Sequence, residues 1–229
     1  MFHLMFDNQA TLEPGKDFEA VSLFARVPSF LAVNASLPIK TVPEFLAYAR
    51  SKNGKLTYGH SGEASAPSLG AVTLLKSIGV TGIGVAYKGN GPTSVAIAGG
   101  EIDFALVDFA SVQALVQRGA VRLIAITEPK RSALAPEVPT TGEFGVSRKV
   151  DGITPWFFLA APAGTPAPIV SLLNKQVTEI LKMPEVQQRL RGAGVEAESS
   201  TPAQAAAYFI AQREKMAGIV SELGVSLKN

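Results

Sequence analysis

The stretch YGHSGEASAP, Tyr58 to Pro67, sets Ser61 directly after His60. That pair makes nucleophilic acyl transfer the first chemistry to consider. A hydrolase serine sits in G-x-S-x-G, because flanking glycines permit a strand-to-helix turn too tight for side chains. Here the frame reads Gly59, His60, Ser61, Gly62, Glu63. The second glycine is missing, and Glu63 places a side chain where the turn has no room. Neighbouring residues of an extended strand face opposite sides, which removes His60 as the base. The only other histidine, His3, stands at the chain start, so a serine hydrolase is the least supported reading.

A second chemistry fits the same residues. A strand that turns into a helix through small residues exposes amide groups at a helix amino terminus, a ready site for a carboxylate or phosphate. Ser61, Gly62, Ser65 and Ser68 would add hydroxyls or close backbone approach; the alternative is an ordinary cap by Ser65 with no ligand. AYKGNGPTS repeats the device, with a glycine turn and Pro92 near the first helical position. Its G-x-G is not a dinucleotide fingerprint, since Ser94 stands where the third glycine belongs, and no G-x-x-x-x-G-K occurs. Lys88 either approaches an anionic ligand or is solvated. Asp108, after an apolar run, accepts a hydrogen bond from a ligand or from a turn amide. Trp156, the single tryptophan, either lines a cleft or packs in a core. Asp103 reads as a strand-start residue.

Composition narrows the classes. The chain has 229 residues, 47% hydrophobic and 17% charged, with a net charge of +2 and no basic tract, so the electrostatic footprint of a nucleic-acid binder is missing. No cysteine and two histidines leave no thiolate chemistry and no histidine-rich metal centre; no metal or cofactor is expected. No apolar run approaches the roughly 20 residues of a membrane span, and Met1 to Asn8 has neither a basic start nor a long apolar core, so no export signal is expected.

The elements that would position these residues follow from periodicity. Ala20 to Asn34, interrupted by Pro28, predicts one long bent strand or two short ones. Thr41 and Glu44 have capping-box spacing before a helix that Gly54 stops. A βα rhythm follows: strands at LTYGH, GIGVAYK, IDFALVD and VRLIAIT alternate with helices at 65–77, 92–98 and 110–118. This pattern predicts a doubly wound, mostly parallel sheet, with YGHSG, AYKGNGP and LVDFAS on its carboxyl edge, where such sheets bind ligands. After a loop-rich stretch, ITPWFFLAAPAG reads as a strand. Thr165 is expected to cap a helix with an apolar stripe at Ile169, Leu172, Leu173, Val177, Ile180 and Leu181. Pro184 opens a short helix, and Thr201 caps the last one. The expected organisation is a complete α/β lobe over 36–151 and a partial lobe from 1–35 and 152–229, joined by two crossings as in a hinged binding protein.

Five stretches, YGHSGEASAPSLGA, GVAYKGNGPTSVAIAGGEIDFALVD, RLIAITEPKRSALAPEVPTTGEFG, WFFLAAPAGTPAPIVSLLNKQV and PEVQQRLRGAGVEAESSTPAQAAAYF, resemble in this order the Bug (TctC-like) family. These are extracytoplasmic solute receptors of tripartite tricarboxylate transporters. The resemblance implies an α/β, type II periplasmic-binding-protein-like fold of two lobes with doubly wound, mostly parallel sheets. It also implies capture of a small organic carboxylate, delivery to membrane transporter subunits, a periplasmic location and no catalysis. By position it makes Ser61, Gly62, Ala64 and Ser65 a ligand loop, Tyr87, Gly89, Asn90 and Gly91 a second one, and Asp108 the aspartate after the third strand. His60 and Ala64 stand where the family's loop has serine and glycine. The front of the family's first lobe has no counterpart before Met1, so that lobe is expected to be incomplete and its helical stripes to pair in a homodimer. The other readings are a truncated paralogue that binds nothing or an oligomeric scaffold.

Overall fold

The computed structural model describes residues 12–224; His3 and the segment Met1 to Asn8 lie outside them. The chain divides into two compact units, residues 27–154 and residues 1–26 with 155–229. Strand β1 (Phe18–Arg26) belongs to the second of these, while β2 (Ser29–Asn34) belongs to the first. Pro28 separates them, and of the two forms expected for Ala20 to Asn34 the chain takes two strands.

The unit 27–154 adds α1 (Val42–Ser51), β3 (Leu56–His60), α2 (Ala66–Ser77), β4 (Gly82–Ala86), α3 (Asn90–Gly99), β5 (Phe104–Asp108), α4 (Phe109–Gln117) and β6 (Val121–Ile126). Its five strands lie in the order β4-β3-β5-β2-β6. β3 is parallel to β4 and β5, whereas β2 is antiparallel to β5 and β6. The sheet, expected to be mostly parallel, is therefore mixed, with β2 alone running against the other four strands. β2, which the sequence reading grouped with the partial lobe, is a central strand of this one. Every residue of β2 is buried, as a strand covered on both faces requires.

Alternation along the strands sends side chains to two helical layers. Leu31, Val33, Tyr58, Phe104 and Leu106 pack with Phe45 of α1 and with Leu74 and Leu75 of α2. Ala32, Ala105 and Val107 pack with Ile97 of α3 and Val112 of α4. Helices on both faces make the unit doubly wound. Gly59 faces the second layer, where a Cβ would come within 2.6 Å of Ile102 Cδ1 and Thr93 Cγ2. The missing side chain lets α3 lie close against β3. Thr41 and Glu44 form the expected capping box at α1.

The remaining unit is built on a three-stranded antiparallel sheet, not the parallel one expected. β7 (Trp156–Pro162) and the short β8 (Glu196–Ala197) flank β1. With it go α5 (Ala167–Lys182), α6 (Pro184–Gly192) and α7 (Pro202–Leu223). Thr201 caps α7 in a box with Gln204. Thr165 does not cap α5; its hydroxyl donates to the Pro162 carbonyl, 2.7 Å. The stripe expected on α5 is also split. Val170 and Leu181 are buried, and Asn174 Nδ2 donates to the carbonyls of Val21 and Ser200. Ile169, Leu172, Leu173 and Ile180 are exposed on a separate flank.

Candidate functional site

Because β3, β4 and β5 run in one direction, their carboxyl ends share an edge, and three helices begin there. The Tyr87 N–H donates to the His60 carbonyl at 2.8 Å, and Asn90 Nδ2 donates to Asp108 Oδ2 at 2.6 Å. YGHSG, AYKGNGP and LVDFAS are thus brought together on one edge, as the spacing predicts.

Each helix start is built differently. At α2 the Ser68 N–H donates to Ser65 Oγ, and that hydroxyl donates to the Gly62 carbonyl at 2.6 Å. Ser65 is therefore a true cap, and it also clamps the loop before it. Gly62 adopts φ +120°, the region open to glycine and poorly tolerated by L side chains. Its N–H donates to His60 Nδ1 at 3.1 Å. That bond also answers the hydrolase question in atoms: the imidazole acceptor is engaged by the backbone of Gly62. Ser61 is exposed at the turn, and Ala64 is half-buried beside it.

At α4 the cap is Asp108, whose Oδ1 accepts from the Ser111 N–H at 2.8 Å. Its other oxygen holds Asn90. Asp108 thus accepts from the turn amide, one of the two partners the sequence left open for it. The α3 start is different again. Its N-cap is Gly89 with φ +103°, and no side chain caps it. Thr93 Oγ1 donates to the Gly89 carbonyl at 2.8 Å, which fixes the turn without covering the first amides. A Cβ on Gly91 would meet nothing within 4 Å, so the approach to this helix end is open. Pro92 lies in the first turn, two residues inside the helix start. Tyr87 lends its backbone to the edge, while its phenol lies 3.5 Å from Glu101 Oε2. Burial first, and then the Glu101 charge, raise its ionisation above the ordinary tyrosine range.

The turns 61–65 and 87–90 carry one acidic and one basic side chain, Glu63 and Lys88, both exposed. What this edge offers an anion is therefore amides and hydroxyls at helix amino termini. Trp156 takes the core alternative: 6% exposed, it packs on Phe158, Tyr208 and Phe209 in the other unit's aromatic cluster.

Two features escaped the sequence reading. Asn90 as the tie between two loops has no sequence signal, since its partner lies 18 positions away. Asp103 is not a bland strand-start residue. Its carboxylate accepts from Tyr48 Oη, Thr57 N and Thr57 Oγ1, with Lys52 Nζ 3.0 Å away. Burial alone would raise this carboxyl, but the Tyr48, Thr57 and Lys52 contacts together hold it below the ordinary value.

Open and capped helix starts gathered on one sheet edge suit the binding of a small anion. Comparison with known proteins is specific about which class. The model of the tripartite tricarboxylate transporter family receptor matches residues 5–225, and the chain belongs to that family. A curated relative, the "UPF0065 protein in gbd 5'region" of Cupriavidus necator, is 31% identical over 228 residues, 99% of this chain and 68% of its own length. The chain spans about two thirds of the length of the curated relatives it matches. Among solved structures, R. palustris Rpa4515 with adipate superposes with a TM-score of 0.77 at 30% identity, covering 94% of this chain and 71% of that one. MatC (Rpa3494) from Rhodopseudomonas palustris with bound malate gives 0.73 at 26%, covering 96% and 75%. The fold is thus periplasmic-binding-protein-like, and the family is one of solute-binding proteins, not enzymes.

Proposed function

We propose that this chain captures a small organic carboxylate at the carboxyl edge of the β3-β4-β5 sheet and passes it to the membrane subunits of a tripartite tricarboxylate-type transporter, outside the cytoplasm. The observation that carries this reading is the α3 start, a glycine turn left open beside two helices already capped by their own side chains. The amides of Asn90 and Gly91 receive one carboxylate oxygen pair, and Ser61, Gly62, Ala64 and Ser65 form the facing loop. Two solved relatives hold adipate and malate, both dicarboxylates, which favours that ligand class. A thermal-shift series with adipate, malate and the matching neutral diamides tests it. A ligand at about 100 times its dissociation constant adds roughly 2.7 kcal/mol of stability. A set of acids that moves the midpoint no more than the diamides do would sink the reading.

A specific observation also favours self-association. On α5 the exposed flank runs Ile169, Leu172, Leu173, Ile180, with Met183 just after the helix, and Leu172 is 58% exposed. These positions are nearly symmetric about Gln176, so a two-fold axis there sets Ile169 against Met183 and Leu172 against Ile180 of a second copy. The paired flanks would bury on the order of 900 Å², the low end for specific interfaces, so the dimer we propose is a weak one. Light scattering across micromolar concentrations, with Leu172→Arg as the comparison, tests it; identical monomer signals for both chains refute it.

A further inference from the structure

His60 stands at the end of β3, 6% exposed, and nothing in a carboxylate-binding edge requires an imidazole there. The geometry gives it a task. A backbone N–H can only donate, so the Gly62 N–H at 3.1 Å from His60 Nδ1 finds an acceptor only when the ring is neutral with its proton on Nε2. The Gly62 carbonyl, on the other side of the same residue, accepts from the Ser65 N–H at 3.0 Å and from Ser65 Oγ at 2.6 Å. Ser65 Oγ in turn accepts from the Ser68 N–H. One line of hydrogen bonds therefore runs from the first turn of α2 through Gly62 to His60. The two ends meet at Gly62, whose φ is +120°.

The ring pose is built in. His60 and Tyr58 project to the same face of β3, with ring centroids 5.8 Å apart. They lie over Gly84 of β4, where a Cβ would come within 2.9 Å of His60 Nε2 and 3.0 Å of Tyr58 Oη. A side chain at 84 would push the imidazole out of line with Gly62. The other titratable and charged groups on the surrounding segments are few. β3 adds only Tyr58, β4 adds none, and the neighbouring turns carry Glu63, Tyr87, Lys88 and Asp108, while α2 carries only Lys76, in its last turn. Asp108 is engaged by Asn90 and Ser111.

We propose that His60 is a positioning residue whose neutral imidazole holds the 61–65 loop in its ligand-receiving shape and whose protonation releases that loop, making carboxylate capture fall off in acid. Protonation puts a hydrogen on Nδ1, so two donors face each other across 3.1 Å. Gly62 must then turn away, and the Ser65 clamp loses its fixed partner. Imidazole is the side chain that ordinarily changes charge between pH 5 and 8, which sets the range over which the loop is to be tested. Part of this inference rests on the carboxylate-binding reading above, and part does not.

The experiment separates the two. Backbone amide NMR of the full chain across that pH range follows Gly62 without any ligand. Its signal is expected to move with imidazole titration in the wild type and to stay still in His60→Asn, whose amide oxygen supplies a non-titrating acceptor at the Nδ1 position. Calorimetry with malate at about pH 8 and about pH 5.5 then compares the same two chains, His60→Asn correcting for protonation of malate itself. The wild type is expected to lose about tenfold more affinity than His60→Asn, a change of roughly 1.4 kcal/mol. His60→Leu, with no acceptor, should bind weakly at both pH values while His60→Asn binds well at both. Equal pH slopes in wild type and His60→Asn, or a Gly62 amide indifferent to pH, overturns the proposal. Failure of wild type to bind malate and the other acids at pH 8 would instead count against the carboxylate reading, with the NMR result still deciding the loop mechanism.

Discussion

Replacing Asp103 separates stability from recognition, because its carboxylate lies at the amino end of β5, the opposite edge from the candidate site. Tyr48 Oη donates to it at 2.6 Å, Thr57 N at 2.8 Å and Thr57 Oγ1 at 3.0 Å. Hydrogen bonds to a charged acceptor are worth about 1.5–3 kcal/mol each where water cannot substitute. These donors are half-buried, so water recovers part of that. The Lys52 contact is 3.0 Å long with its side chain one-third exposed, and such pairs contribute less than about 1 kcal/mol. We expect Asp103→Ala to cost about 3 kcal/mol. Asp103→Asn keeps an acceptor and the shape but loses charge, and should cost about half as much.

The assay must report on this unit alone, since the single tryptophan lies in the other one and a two-unit chain need not unfold in one step. Hydrogen exchange of peptides covering β3 and β5 meets that need. The malate dissociation constant of the folded fraction should stay where it is. The sign with pH follows from the same contacts. Asp103 is held below the ordinary carboxyl value, its burial outweighed by Tyr48, Thr57 and Lys52. Its contribution is therefore complete above that value and lost as pH falls through the lowered one, so Asp103→Asn should flatten the acid limb. An alanine variant with protection within about 0.5 kcal/mol of wild type would refute the reasoning, because ordinary surface substitutions fall in that range.

Three further outcomes follow from the geometry. Gly62→Ala meets no steric obstacle, so its cost is backbone strain at φ +120°, about 1–3 kcal/mol confined to the loop; calorimetry should show malate affinity down at least tenfold, and unchanged affinity would mean the loop does not contact ligand. Arg131 grips Glu143 with two bonds of 2.9 and 2.6 Å, and these first, with the Thr140 amide second, lower its carboxyl from 4.5 to about 2. That ion pair should hold down to about pH 2, with its stabilisation lost as pH falls from 4.5 through 2; a side-chain NMR titration with an inflection near the ordinary value contradicts it. Gly84→Ala should displace the His60 ring, seen as loss of the pH response of Gly62 with only a modest fall in melting temperature, and a retained response would show the ring is not seated by Gly84.

The features legible in the sequence are those decided within a few residues. Thr41 with Glu44 and Thr201 with proline after it announce their helices because the capping partners lie three positions apart. The βα rhythm fixes the common edge of YGHSG, AYKGNGP and LVDFAS, since parallel strands joined by helices must end on the same side. What stayed hidden depends on distant partners. β2 reads as a strand, but its insertion between β5 and β6 is set by distant pairings, such as Ser29 with Asp108, 79 positions on, and Phe30 with Ile126, 96 positions on. Asp103 looks bland because its donors sit on α1 and β3. The stripe on α5 looks like one face in sequence because apolar residues occur on both flanks, and only the sheet chooses between Val170 with Leu181 and Ile169 with Leu172. In sequence His60 suggests only a base, and its use as an acceptor for the backbone two residues on has no local signal.

The three helix starts also bear on how many carboxylates a ligand needs. α4 already has a carboxylate of its own at the cap, Asp108, and α2 has Ser65, so only α3 is left without a side-chain cap. A helix terminus contributes about 0.3–1 kcal/mol to an anion, up to about 2 where partly buried. Two amide hydrogen bonds to a charged oxygen add roughly 1.5–3 kcal/mol each. Against the several kcal/mol lost in immobilising a ligand, one carboxylate at α3 does not reach the roughly 8.2 kcal/mol of micromolar binding. A second carboxylate has the 61–65 loop available, where Ser61 is exposed and Glu63 is the one acidic residue. A diacid should therefore bind at least tenfold more tightly than the monoacid of the same length, measured by calorimetry at about pH 8, where both are ionised. Equal affinities for hexanoate and adipate would show that a single carboxylate site, and not a pair of facing loops, sets recognition.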